Sequence, residues 1–225
     1  MNKVISEVFI GLLFLVIFLG AVLFISAGTL HYWEGWVYIS VFFLCCAAIT
    51  VYLVKTDMEL LKRRLNAGPG GEKEKSQKII QSIAQVAFIS IYVVSGLDRR
   101  FYWSALPEYI VIAGDTGVIA GFCIVFKTFQ ENTFTAANIQ VDEAQTVIAT
   151  GPYAMVRHPM YSGALLLLLS SPIALNSCWA LLAFIPMCAV IIARLLDEER
   201  FLKKNLVGYS SYCLKVNWRL FPGLF

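Results

Sequence analysis

The sequence predicts an all-α, polytopic transmembrane protein of five to six spans, with a polar C-terminal region on one membrane face. Composition is the first observation: of 225 residues, 59% are hydrophobic and 15% charged. Soluble domains carry about 45–50% and about 25%. The second is a mean hydropathy of +0.71. The third is that the apolar residues gather into runs near the ~20 residues that a bilayer span needs. One integrated membrane domain accounts for the length: N-terminal helices over 1–130, then the last hairpin and tail over 131–225.

The first span is expected over Ile5–Ala27. Its apolar run from Val8 to Ile25 exceeds the ~7–15 residues of a leader's core, so it reads as a span. His31-Tyr32-Trp33-Glu34-Gly35-Trp36 forms an aromatic turn suited to a headgroup interface. A second span follows over Trp36–Val54. Asp57 to Lys78 is polar and broken by Gly68-Pro69-Gly70-Gly71. The third span is Ile79–Leu97 and the fourth Glu108–Phe129, which holds Asp115. Gln130 to His158 is polar. Two shorter segments, Pro159–Leu175 and Cys178–Ala193, then meet at Asn176-Ser177. Each is roughly 24–26 Å as helix, short for a core of about 30 Å. Pro172 and Pro186 are candidate kinks. From Leu195 the tail reads as a separate amphipathic helix and an aromatic-rich end.

Basic residues set the expected orientation. Lys55, Lys62, Arg63, Arg64, Lys73, Lys75 and Lys78 fill one loop, and Arg194, Arg200, Lys203, Lys204, Lys215 and Arg219 fill the tail. With an even number of spans, both termini and the Gln130–His158 stretch are expected in the cytoplasm. Arg99 and Arg100 fall on the far side, with Asp98 offsetting one charge.

Several classes are disfavoured. The net charge of +3 comes without a basic stripe interleaved with aromatics, so nucleic acid is not an expected partner. Cys45, Cys46, Cys123, Cys178, Cys188 and Cys213 form no CxxC pair, and His31 and His158 lie far apart, so no metal site is expected. Neither a Gly-rich dinucleotide fingerprint nor a Walker sequence occurs.

Ionisable residues crowd instead at the mouth of the last hairpin. Pro159 suits the first turn of a helix, which puts Arg157 and His158 just before a helix N-terminus that favours anions. The plainer account is that Arg157 snorkels to lipid phosphates while His158 caps the helix. Arg194 and Glu198, four apart, share a helix face, and Glu199 points elsewhere. An exposed ion pair is the plainer account there. Interfacial anchoring alone accounts for Tyr153 and Tyr161. Asp115 is an acid inside a span.

These residues form a pattern: Gly151-Pro152-Tyr153, Arg157-His158-Pro159-Met160-Tyr161-Ser162-Gly163, Arg194-Leu195-Leu196-Asp197-Glu198-Glu199, Gly208-Tyr209-Ser210-Ser211-Tyr212 and Arg219-Leu220-Phe221-Pro222. From Asn132 to Pro222 the chain resembles the isoprenylcysteine carboxyl methyltransferase and phospholipid methyltransferase superfamily of integral membrane enzymes. The resemblance implies methyl transfer from S-adenosylmethionine in a catalytic region at the cytoplasmic face. It implies that Tyr153, His158, Pro159, Met160, Tyr161 and Glu198 contact the cofactor, with Gln145, Thr146, Val147 and Ile148 lining it and Gln140 as an upstream polar contact. It also implies that Arg194 engages the acceptor, so that Arg194 and Glu198 are the expected catalytic pair. Arg194 suits a carboxylate acceptor, as in isoprenylcysteine, and suits a lipid phosphate equally. A phospholipid amine and a thiol remain open as acceptors. Two rival readings are a membrane reductase of the sterol type and a non-enzymatic membrane scaffold.

Overall fold

The computed structural model describes residues 2–65, 75–135 and 145–225. They form eight α-helices and no strand: α1 (Asn2–Ala27), α2 (Trp33–Thr56), α3 (Met58–Leu65), α4 (Lys75–Phe101), α5 (Glu108–Glu131), α6 (Pro159–Ala174), α7 (Ala180–Asn205) and α8 (Tyr209–Lys215). A 3-10 turn, Gly151–Ala154, precedes α6. Five helices, α1, α2, α4, α5 and α7, are long and apolar enough to cross a membrane. Their outward faces carry Ile10, Phe14, Ile17, Leu44, Val86, Ile112 and Ile185, all exposed, as lipid-facing residues should be.

The sixth apolar helix, α6, has only 16 residues. It packs against α2, α4, α5 and α7 and is buried on nearly every side. A helix hydrophobic all round belongs inside a protein, and one sheltered there need not match the bilayer's thickness. It nevertheless runs the depth of the bundle. Its last turn meets the connections on the side away from Pro159: the Tyr32 hydroxyl donates to the Leu175 carbonyl, and the Ser177 hydroxyl donates to Asp98.

Close approach of α5 and α6 follows from their small residues. A Cβ on Gly121 would lie 2.7 Å from the Gly163 carbonyl oxygen, and one on Gly163 would lie 2.8 Å from that of Gly121. Helix backbones touch there, as small residues permit in membrane bundles.

Four boundaries differ from expectation. Helix α2 begins at Trp33, because Tyr32 is buried and tied to α6 instead of anchoring at an interface. Helix α4 is longer at both ends than the expected third span. The polar loop after α2 contains a helix, α3. Asp57 Oδ1 accepts the Leu60 N–H at 2.9 Å, and Leu60 and Leu61 bury themselves against Val8, Leu53 and Phe129. The last span does not end at Ala193: α7 continues through Arg194 to Asn205, one helix where two were expected. Arg194 and Glu199 are buried on protein partners, so the change in polarity does not break the helix.

Candidate active site

At the end of the bundle where α6 begins, a cavity of about 390 Å³ opens, within the ~300–1,000 Å³ typical of small-molecule sites. It is walled by residues from both sides of the sequence. Gln145, Thr146, Val147, Ile148, Tyr153, His158, Pro159, Met160, Tyr161, Arg194 and Glu198 all line it. Of the expected cofactor-binding and catalytic residues, Gln140 alone lies outside the described residues. Asp115 is buried on α5 and is not part of the lining.

The floor is set by a clamp behind the cavity. Glu199, 3% exposed, accepts from Arg157 Nη1 at 2.8 Å and from Arg219 Nε at 3.1 Å, and its carboxylate lies 3.4 Å from His158 Nε2. Arg157 also donates to the carbonyls of Val216 at 2.7 Å and Asn217 at 2.8 Å. The backbone N–H groups of Arg157 and His158 donate to the carbonyls of Trp218 and Arg219, each at 2.9 Å. The segment before α6 is thereby stitched to the tail. Arg157 therefore does not snorkel to lipid: it borders the cavity with its guanidinium held by Glu199 and the tail carbonyls. It neutralises a buried carboxylate, which needs such partners.

Directly above, the neighbouring carboxylate does something different. Glu198 Oε2 accepts the Tyr161 hydroxyl at 2.6 Å, and Arg194 bonds the same hydroxyl. Arg194 Nη1 also donates to Gln77 Oε1 at 3.2 Å, and Gln77 Nε2 donates to Asp197 Oδ2 at 2.8 Å. A buried glutamine on α4 thus orients the guanidinium. Arg194, Tyr161 and Glu198 make one hydrogen-bonded row along the cavity wall.

The opposite wall is aromatic. Asn132 Nδ2 donates to the Tyr153 hydroxyl at 3.0 Å, and the Tyr212 hydroxyl donates to the Tyr153 carbonyl at 2.7 Å. Burial pushes the Tyr153 pKa up, so the phenol stays neutral. Tyr209 and Tyr212 pack with Val147 and Leu206, joining α8 to the strip of residues before the 3-10 turn. The Tyr209 hydroxyl is buried and has no hydrogen-bond partner among the described residues. Pro159 opens α6, whose first-turn N–H groups have no intrahelical acceptor.

Several lining residues are given no role by the sequence reading: Arg64, Gln81, Asn132, and Tyr209 and Tyr212, which belong to the quoted pattern only as motif positions. Arg64 had a signal. It lies four residues after Leu60 and three after Leu61, on the face that α3 buries. The partners of Gln77 and Glu199 left no signal, since they are distant in sequence. Among the described residues, no group of His, Cys, Asp or Glu could hold a metal ion.

The wall offers both charged and apolar groups to a small ligand. A carboxylate faces the cavity, a helix N-terminus offers N–H groups, a buried phenol has no partner among the described residues, and aromatic and aliphatic side chains supply an apolar face. No curated protein matches this chain significantly. Residues 109–207 match the family model described as phospholipid methyltransferase. That stretch spans nearly all of α5, the 3-10 turn, α6 and all of α7, and so contains the row from Arg194 to Glu198 and most of the cavity wall. Over these residues the chain is similar to the phospholipid methyltransferases, and its five long apolar helices are those of a polytopic membrane protein.

Proposed function

We propose that the enzyme transfers a methyl group from S-adenosylmethionine to the carboxylate of an amphiphilic, isoprenylcysteine-like acceptor that enters from the bilayer. The observation that carries this reading is the convergence on one cavity of the Arg194–Tyr161–Glu198 row, the N-terminus of α6 and the aromatic wall. When bound, the donor supplies an electrophilic methyl on sulfur. The chain's own residues do the rest. Glu198 attracts the ammonium or accepts from a ribose hydroxyl, and the first turn of α6 receives the carboxylate. Val147, Ile148, Tyr153 and Tyr209 hold the base. Arg194, fixed by Gln77, aligns the acceptor, and enclosure by Ile191, Ala164 and Val125 excludes water. Alignment and desolvation then carry the rate, because a carboxylate nucleophile needs no general base.

The phospholipid description of the matched family supports a second reading, methylation of a phospholipid amine. An ammonium must first lose a proton, a task for which Glu198 is the available acceptor. Both readings place the cavity and both chain termini on the cytoplasmic side, following the basic loops.

Titration of the purified protein with S-adenosylhomocysteine and with NADPH tests the donor. We expect S-adenosylhomocysteine to bind and NADPH not to. Binding of NADPH alone would overturn the reading in favour of a reductase. Glu198→Gln and His158→Ala should each weaken the donor analogue at least tenfold, about 1.4 kcal/mol. Wild-type affinity in both variants would remove these residues from the donor site and favour a scaffold.

A further inference from the structure

The outer surface of the tail lies at the cavity end of the bundle but takes no part in the cavity wall. Helix α8 sorts its residues by helical spacing. Tyr209, Tyr212 and, just past its end, Val216 are buried with Val147, Leu202 and Leu206, and the two tyrosines wall the cavity. Leu214 and Lys215 fall on the other side and are exposed. Val207 is 95% exposed, Leu214 82% and Leu224 79%. Trp218 is exposed as well. Beyond it the chain folds back, the Arg219 N–H donating to the Phe225 carbonyl at 2.8 Å, which returns Leu224 toward Trp218. Apolar side chains this open to solvent, on a segment whose other face is packed, mark a contact surface.

Charged side chains on this surface have one sign. After Glu199 the sequence holds five lysines and arginines and no aspartate or glutamate. Arg200, Lys203 and Arg219 approach Asp197 or Glu199. Lys204 and Lys215 are exposed and meet no carboxylate among the described residues. Depth says what this surface meets. At the other end of the bundle Trp103 and Trp179 are exposed and pack edge to face, and tryptophans gather at head-group level. Helix α7 starts beside Trp179, and its 26 residues rise about 39 Å. That exceeds a hydrocarbon core of about 30 Å and falls just short of the about 40–45 Å that includes both head-group layers. The segment that follows α7 therefore lies among head groups. Apolar side chains for the acyl boundary, lysines for phosphates and no acid to repel them complement an anionic lipid surface.

We propose that the outer face of α8 and the folded tail, with Val207, Leu214, Trp218 and Leu224 beside Lys204 and Lys215, docks on anionic phospholipids of the leaflet at the cavity end. The apolar side chains enter the acyl boundary, and the lysine ammoniums pair with head-group phosphates. This assigns a lipid partner to a helix whose inner face walls the cavity, and it holds whatever the cavity binds.

The test uses the full-length protein in bilayer discs that hold phosphatidylcholine and phosphatidylglycerol in equal parts, with the acyl chains of one or the other brominated. Bromine quenches tryptophan on contact, and the emission of Trp218 is the difference between wild type and Trp218→Phe. Brominated phosphatidylglycerol should quench Trp218 roughly threefold more strongly than brominated phosphatidylcholine. Raised salt should remove most of that preference, since the lysines are exposed. Lys204→Gln combined with Lys215→Gln should do the same at low salt, with thermal unfolding reporting the fold. If the double variant does not fold, the salt series on the wild type carries the test. Equal quenching by the two lipids would overturn the proposal. So would a preference that raised salt leaves unchanged, or one that the folded double variant keeps in full. Quenching by neither lipid would overturn it as well, and would turn this face toward a protein partner.

Discussion

The two ends of this bundle both bury charge, and they do so differently. At the end away from the cavity, Asp98 accepts from the Ser104 N–H at 2.7 Å, the Ser104 hydroxyl at 2.8 Å and the Ser177 hydroxyl. Glu34 accepts from Asn176 at 2.9 Å, and Asn176 in turn receives the Leu106 N–H at 2.7 Å. Asp98 is satisfied by these partners, while Glu34 keeps Oε2 buried without a hydrogen-bond partner among the described residues; together the groups close the turn between α6 and α7. At the cavity end the polar groups are divided. Glu199 gathers Arg157, Arg219 and His158 into a clamp, while Glu198, one residue earlier, faces open space beside two arginines. A carboxylate ringed by protein partners is structural. One that borders a cavity is available for a ligand. Helical rotation of about 100° per residue is enough to separate the two roles.

The sharpest way to break the comparison is to remove the clamp. Glu199→Ala leaves Arg157 and Arg219 without their buried partner. A broken buried pair costs about 3–5 kcal/mol. We expect a large drop in thermal stability in detergent, with donor affinity falling alongside as the Arg157–His158 segment loosens. Full stability in this variant would show that Glu199 is not structural. The second way acts on the far end. Asp98→Ala removes the acceptor of three hydrogen bonds and should destabilise the fold by about 2–3 kcal/mol. Donor-analogue affinity measured on the folded protein should not change, since the site is at the other end. A selective loss of affinity at full stability would mean that the ends are coupled.

The same division explains what could be read from the sequence. The start of α6 was legible because Pro159 at the first turn and an apolar run are local signals. So was the shared face of Arg194 and Glu198, which depends only on helical spacing. The continuity of α7 was hidden, because Arg194 resembles the end of a span unless its partner Gln77, on α4, is known. Helix α3 was masked by the polar composition around Gly68-Pro69-Gly70-Gly71, although Leu60, Leu61 and Arg64 already share a face. The clamp was least legible: Glu199 was assigned to another face correctly, but Arg157 and Arg219 reach it from 42 and 20 residues away. Long-range pairing of charges leaves no periodic trace.

The smallest expected effect sharpens the comparison most finely. Tyr209 opens α8, lines the cavity and keeps its hydroxyl buried without a partner among the described residues. Burial raises the pKa of this phenol, so it is a neutral donor over the working pH range. A buried orphan is disfavoured in the empty protein, which is the reverse of the satisfied groups around Asp98. If a ligand completes it, Tyr209→Phe should weaken S-adenosylhomocysteine by about 0.5–1.5 kcal/mol, a few-fold in affinity. The empty protein should be unchanged or slightly more stable, because an unpaired hydroxyl has been replaced by hydrogen at constant ring packing. Lower stability with unchanged affinity would place the hydroxyl with the structural groups after all, on the closed side of the division that separates Glu199 from Glu198.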